Sequence, residues 1–332
     1  MRAAVCSAYG PPEVVRIGEI PSPEIGAGQA RVRVHAAALN FPDVLIVANR
    51  YQLSVPTPFV PGSEFAGVVE EVADDVAGRA RALAPGDRVA GVLLVGAFAE
   101  EVAVDAAALR RIPDRIDFRV AAASGVAHST AYHVLRSVAR IQPGQQLVVL
   151  GAGGGVGLAA VQLGAVLGAS VTAVASSAEK LEVAASYGAA HGVNHRSVDL
   201  RKALRELIPN GADAVVDPVG GSLSEPALRS LRWGGRFVTL GYASGEIPRI
   251  PLNLVLLKGA TILGFQFGDF ARHAPEELRR NEGELMALLG EGRVSPHIGA
   301  SFPLEEVAAA LRYVADGRAI GKVVVDCCGL NR

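Results

Sequence analysis

The sequence predicts an α/β protein with a parallel, doubly wound sheet set behind a mostly β segment. Three observations predict it. From residue 147 onward, short apolar runs alternate with helix-compatible segments, the pattern of parallel strands joined by crossover helices. The run Leu147-Val148-Val149-Leu150 enters the glycine cluster Gly151-Ala152-Gly153-Gly154-Gly155-Val156-Gly157, and a small-residue stretch to Gly168 leaves it as a helix would. Residues 1–120 carry short period-two strands punctuated by Gly and Pro, which suggests a barrel-like domain.

In order, Ala30 to Ala36 alternates polar and apolar side chains, the mark of a half-buried strand. Phe65 to Val72 reads as another, Pro85-Gly86-Asp87 as a turn into Arg88 to Val92, and Ala97 to Val104 as a further strand. Leu39 to Val47 holds a short helix or loop. After Ile112-Pro113-Asp114, one alanine-rich helix is expected from Arg119 to Ala139. Strands then fall at 147–150, 171–175, 191–194, 212–217, 236–241 and 260–265. Helices are expected at 155–168, 179–187, 199–207, 222–231, 275–290 and 304–316, before a closing strand at 322–326 that returns to the first domain.

The glycine cluster carries the first chemistry. Glycines let a strand-to-helix turn take angles closed to other residues and let a pyrophosphate approach the backbone. The following helix N-terminus offers N–H groups and a positive dipole end. Gly151, Gly154 and Gly157 fall three apart, and Ala152 stands where the first glycine of G-x-G-x-x-G would be. The second strand after a helix of the right length supports dinucleotide binding over a plain glycine turn.

Composition bounds the rest. At 332 residues the chain suggests about two domains, and its formal net charge of -1 gives no footprint for nucleic acid. Cys6, Cys327 and Cys328 lack C-x-x-C spacing, which implies reduced thiols rather than a disulfide framework or zinc knuckle. No charge occurs from Ile141 to Ala178, a length that could span a membrane, but Pro143 and the glycines break it into strand, helix and strand. Without a signal-peptide pattern at Met1-Arg2-Ala3, a cytoplasmic protein off the membrane is expected.

The segments Ala38-Leu39-Asn40-Phe41-Pro42-Asp43, Pro61-Gly62-Ser63-Glu64-Phe65-Ala66-Gly67-Val68-Val69, Gly153-Gly154-Gly155-Val156-Gly157 and Ala319-Ile320-Gly321-Lys322-Val323-Val324 resemble the medium-chain dehydrogenase/reductases over nearly the whole chain. Within them the chain is most similar to the zinc-free NADPH:quinone oxidoreductases of the zeta-crystallin-like branch. The resemblance implies a Rossmann domain (121–264) inserted into a GroES-like β-barrel catalytic domain, begun by 1–120 and completed by 265–332. In the zinc-dependent alcohol dehydrogenases, a Cys stands three residues before the Asp matched by Asp43, and a His stands in Gly-His-Glu. Here those positions hold Asn40 and Ser63, poor zinc ligands, and residues 84–104 contain no Cys for a structural zinc lobe. No metal is therefore expected. A conjugated, electron-poor acceptor needs less Lewis-acid help than an alcohol.

Residue by residue, the resemblance implies that Asn40 lines the active site, with Asp43 a structural partner. Tyr51 marks the same pocket, and in the related enoyl-thioester reductases a Tyr in this loop donates a proton. Thr130 and Lys322 match positions near the cofactor. Gly151, Gly154, Gly155, Val156 and Gly157 cradle the pyrophosphate. Ser176 and Lys180 meet the 2′-phosphate of NADP(H), since no acid lies from Ala173 to Ala178 to hold a free ribose diol. His195 stands where the family commonly has a Tyr, so His195 or Arg196 could supply charge there. Gly241, Tyr242, Phe265, Gln266 and Phe267 follow the fifth and sixth strands, on the ligand-binding edge of the sheet.

The expected function is hydride transfer from NADPH to a quinone or related α,β-unsaturated carbonyl. The alternatives are an enoyl-thioester or alkenal reductase using Tyr51, and an NADPH-binding protein with little turnover. The partner is a small molecule. A homodimer is expected because the apolar strand Ala260-Thr261-Ile262-Leu263 should lie at a sheet edge, hazardous if bare.

Overall fold

Period-two patterning gives strands near the start of the chain. Arg2–Cys6 (β1) and Val15–Glu19 (β2) pair antiparallel. Gln29–Leu39 (β3), a helix at Phe41–Val47 (α1), Glu64–Val72 (β4), a helical turn at Asp74–Ala77 (α2), Arg88–Val92 (β5), Glu101–Asp105 (β6) and Leu109–Arg111 (β7) follow. The computed structural model describes residues 1–77 and 83–328.

The single helix expected from Arg119 to Ala139 is two helices, Phe118–Ser124 (α3) and Ala127–His133 (α4), ending in a π-turn at Val134–Val138. The break has a tertiary cause. Glu64 approaches Gly125, where a Cβ would lie 3.0 Å from its Oε2, and the Val126 N–H donates to that oxygen at 2.7 Å.

The β/α alternation then runs as patterned. It comprises Gln146–Leu150 (β8), Gly155–Val166 (α5), Ser170–Ala175 (β9), Ala178–Ser186 (α6), His191–Asn194 (β10), Leu200–Leu207 (α7) and Ala212–Asp217 (β11). Next come Ser224–Arg229 (α8), Leu231–Thr239 (β12), Leu252–Lys258 (α9), Thr261–Gly264 (β13), Phe267–His273 (α10) and Pro275–Gly290 (α11). Ile298–Pro303 (β14), Val307–Ala315 (α12) and Lys322–Asp326 (β15) close the described chain.

Two compact units result: Met1–Val126 with Ser295–Arg332, and Ala127–Val294. The return to the first unit thus begins at Ser295 rather than at 265. The reason is α11: its Asn281 is buried against His133 and Ser137, and its Glu284 accepts from Tyr132 and Arg136, all in the second unit.

In the first unit, seven strands run in the order β14-β15-β3-β4-β5-β7, with β6 also pairing β3. The β15 strand lies antiparallel to β3 and parallel to β14, so the late strand is built into the early sheet. The core is apolar, from Val32, Val34, Phe65, Val89 and Phe98 to Leu311 and Val325. In the second unit, six strands run β10-β9-β8-β11-β12-β13, and every pair is parallel. The central strands β8 and β9 need no polar alternation because helices cover both faces. The order reverses direction at β8, so the crevice beyond its carboxyl end is where such sheets bind ligands.

Candidate active site

The turn between β8 and α5 is built from residues that only glycine can supply at two points. Gly151 has φ +63°, in the left-handed region. At Gly157, a Cβ would lie 2.0 Å from the Gly151 carbonyl oxygen, so helix and turn can meet only without a side chain. Gly154 takes the N-cap position of α5, and Gly155, Val156 and Gly157 form its first turn. The first N–H groups of a helix lack intrahelical acceptors, so this end is suited to an anion.

Beside it, β9 and β10 end in register, with Asn194 opposite Ala175, and the His195 N–H donates to the Ala175 carbonyl at 3.1 Å. Ser176 and His195 therefore leave the sheet side by side. The Ser177 hydroxyl caps α6 by accepting from the Lys180 N–H at 3.3 Å. The stem of Lys180 crosses the glycine turn: a Cβ at Gly153 would meet Lys180 Cγ at 2.6 Å. Burial pulls the Lys180 ammonium below its usual range, and the Arg196 charge adds to this while Glu179 opposes it. Burial also lowers His195, reinforced by Arg196, opposed by a backbone hydrogen bond and lowered further by Lys180. Three basic groups thus converge at the carboxyl end of β9.

Further along the same edge, Asp217 organises the loop after β11. Its Oδ1 accepts from the N–H groups of Val219 and Gly220, each at 2.8 Å, and its Oδ2 from the Ser224 hydroxyl at 2.6 Å. The loop carrying Gly241 and Tyr242 is zipped to it by the Ala243 and Ser244 N–H groups, which donate to the Pro218 and Val219 carbonyls. Tyr242 is left exposed. Past β13, Phe265 and Phe267 lie with Phe270 around the buried His133, at ring centroid distances of 6.3, 5.6 and 4.9 Å. Gln266 turns its side chain to the Asp269 N–H and caps α10. Thr130 is buried within α4.

Asn40 and Tyr51 belong to the first unit, where Asn40 enters a buried polar cluster. Lys322 Nζ donates to the Leu39 carbonyl at 2.6 Å, Asn40 Oδ1 at 2.7 Å and Glu64 Oε1 at 2.7 Å. Asn40 Nδ2 donates to Ser63 Oγ at 3.1 Å and Glu64 Oε1 at 2.8 Å. Lys322 and Glu64 are 3% and 0% exposed, so this ion pair is fully desolvated. An ammonium has three donors, and all three of Lys322's are engaged here. Lys322, expected near the cofactor, fixes the Asn40 amide here. Glu64 was missed by the sequence reading. Its only local signal is an acid directly ahead of the apolar run Phe65 to Val69.

Asp43 sits below this cluster. Its Oδ2 accepts from the Asn40 N–H at 2.7 Å. Burial pushes its carboxyl up to about 7, against the opposing pull of the Asn40 N–H, the Ser63 hydroxyl and the Lys322 charge. Half-buried Tyr51 is raised above its usual range by burial and by the Asp43 charge. The phenol is thus held in its protonated form, the form a proton donor requires. Among the described residues, no group of three His, Cys, Asp or Glu side chains is arranged to hold a metal ion.

Known proteins show which family this fold belongs to. Residues 26–114 match the family described as alcohol dehydrogenase GroES-like domain, and residues 155–282 the family described as zinc-binding dehydrogenase. A quinone oxidoreductase-like protein 2 homolog of Nematostella vectensis is 36% identical over 329 residues, covering 98% of this chain and 88% of that protein. The quinone oxidoreductase of Escherichia coli, solved in complex with NADPH, is similar in structure with a TM-score of 0.90 and 26% identity, over 98% of this chain and 100% of that one. The quinone oxidoreductase of Thermus thermophilus, also solved with NADPH, is 32% identical with a TM-score of 0.84, over 98% and 100%. With a six-stranded parallel Rossmann sheet joined to a GroES-like domain, this chain belongs to the medium-chain dehydrogenase/reductase superfamily and is an enzyme of its quinone oxidoreductase-like branch.

Proposed function

We propose that the chain is a zinc-independent reductase that uses NADPH to reduce a quinone or a related α,β-unsaturated carbonyl. The observation that carries this reading is the Asn40–Ser63–Glu64–Lys322 cluster. Where a zinc alcohol dehydrogenase needs thiolate and imidazole, this chain has an amide bound to a buried ion pair and a hydroxyl bound to that amide. Without a Lewis acid the protein has little means of lowering an alcohol's pKa. Delivery of hydride to an acceptor that already stabilises negative charge asks less.

The residues fit NADP(H). Gly151, Gly154, Gly155, Val156 and Gly157 would take the pyrophosphate, and Lys180 with Ser176, His195 and Arg196 the 2′-phosphate. Thr130, Gly241, Tyr242, Phe265 and Phe267 would flank the remaining parts, with Gln266 holding the turn between the two phenylalanines. When bound, the nicotinamide supplies a hydride. The protein's own contribution is orientation and exclusion of water. The hydride brings two electrons to the acceptor, and the reduced acceptor then takes one proton, from water for a hydroquinone anion.

A second reading is an enoyl-thioester or alkenal reductase, favoured by the protonated, half-buried Tyr51 phenol. Steady-state assays of quinones, enones and acyl thioesters with NADPH and NADH, repeated with Tyr51→Phe, separate the two. If a quinone is the acceptor, the variant loses little turnover. If an enoyl thioester is, loss of the general acid costs roughly 10²–10⁴-fold in kcat. Quinone turnover that collapses in the variant while NADPH still binds would reject the first reading. A chain that binds NADPH and turns over nothing on the panel would reject both.

A further inference from the structure

We infer that His195 couples recognition of the cofactor's 2′-phosphate to uptake of a proton, so that preference for NADPH over NADH sharpens as pH falls through neutrality. The inference rests on the NADPH reading above and deepens it. Three placements support it. The Ala175–Asn194 register and the bond from the His195 N–H to the Ala175 carbonyl set the His195 backbone at the carboxyl end of β9, beside Ser176. Lys180 comes from the first turn of α6, and its stem lies over Gly153. Arg196 follows His195 directly, and its N–H donates to Asn194 Oδ1 at 3.0 Å, which fixes the turn.

The charges around the imidazole are those of Lys180 and Arg196, both of which disfavour its protonation. Of the neighbouring acids, Glu179 acts on Lys180, and Asp199 accepts from the Lys202 N–H to cap α7. Glu179 offsets part of the Lys180 charge but does not act on the imidazole, which burial, Arg196 and Lys180 together hold below its ordinary range. A phosphate dianion reverses that balance. It neutralises the two cations and adds an attractive partner, and an opposite charge within a few ångströms favours the charged imidazole. Histidine is the side chain whose charge such a change can move across neutral pH. The proton comes from solvent and is held on the ring, and no other bond forms or breaks. NADH lacks the phosphate and produces no such coupling.

The direction follows from linkage. Binding that takes up a proton tightens as pH falls. The phosphate's own second ionisation near about 6 sets the lower limit, because a monoanion binds less well. Between pH ~8.5 and ~6.5 the NADPH affinity of the wild type should rise roughly three- to tenfold, with NADH flat. Titration calorimetry at pH 7.5 in buffers of different ionisation enthalpy should show net uptake of a fraction of a proton with NADPH and none with NADH. The sign is diagnostic, since tighter binding of the phosphate dianion alone would release protons. His195→Gln should keep an NADPH preference through Lys180 and Arg196 at pH 8.5, lose the gain at pH 6.5 and abolish the uptake. An unchanged NADH affinity reports an intact site. Proton release, or an NADPH preference that is flat with pH in the wild type, overturns the inference while leaving the cofactor reading in place. A wild type with no preference for NADPH at any pH overturns both.

Discussion

Two lysines do opposite work at the scale of single residues. Lys180 is half-buried at the sheet edge among like charges, whereas Lys322 is desolvated against Glu64. Lys180→Ala should weaken NADPH by roughly 10- to 100-fold, the equivalent of about 1.5–3 kcal/mol for a charge-assisted contact. NADH should scarcely change. Fluorescence titration of both cofactors is the check, and equal losses would mean that the lysine supports the fold. Asp43 gives a pH prediction. Its folded value of about 7 lies above the ordinary carboxylate range, so the folded state holds its proton more tightly than the unfolded chain. The associated stability is fully present below pH ~4 and is lost as pH rises toward and through about 7. Asp43→Asn keeps an oxygen for the Asn40 N–H and removes the titration. Between pH ~5 and ~8, urea unfolding should show the wild type losing about 2–3 kcal/mol more than the variant. Parallel pH profiles would rule this out. The placement of Lys180 was legible from sequence because it depends only on one strand and one helix start. The Lys322 cluster was not, because its partners lie 282 and 258 residues away and only the sheet brings them together.

Elements were legible where their pattern was their own. The alternation of apolar runs gave all six strands of the parallel sheet, since buried strands need little more than β-branched and small residues. Helix Pro275–Gly290 was also legible, from Pro at its start, acids in its first turn and an apolar face. The unit it joins was not, because that depends on where Asn281 and Glu284 find partners. The gap between α3 and α4 was hidden in an alanine-rich run with no local breaker strong enough to mark it. Edge strand β13 carries the next expectation. Ile262 is 40% exposed, and Leu252, Leu256, Leu257 and Trp233, all above 70%, flank it in sequence and sheet. We propose that a second copy covers this face, because a bare apolar edge invites pairing. Sedimentation at micromolar concentration should find a dimer, and Ile262→Lys should shift it to monomer. A wild-type monomer would sink the idea.

At the scale of the whole molecule, no described helix is long and apolar enough to cross a membrane, so the uncharged stretch from 141 to 178 serves a sheet interior. Elemental analysis of the purified protein should find no stoichiometric zinc, given an amide and a hydroxyl at the ligand positions. One tightly held zinc per chain would contradict the whole account of the site. The weave of the first unit has a consequence for synthesis. On the ribosome, β3 and β4 emerge long before β15, whose place is at the edge of β3. Until β15 arrives, that edge is an open template for other chains. Glu64 meanwhile has no Lys322, and a carboxylate cannot be buried cheaply without its counter-charge. The lysine that neutralises this acid is delivered by the same strand that seals the edge of β3.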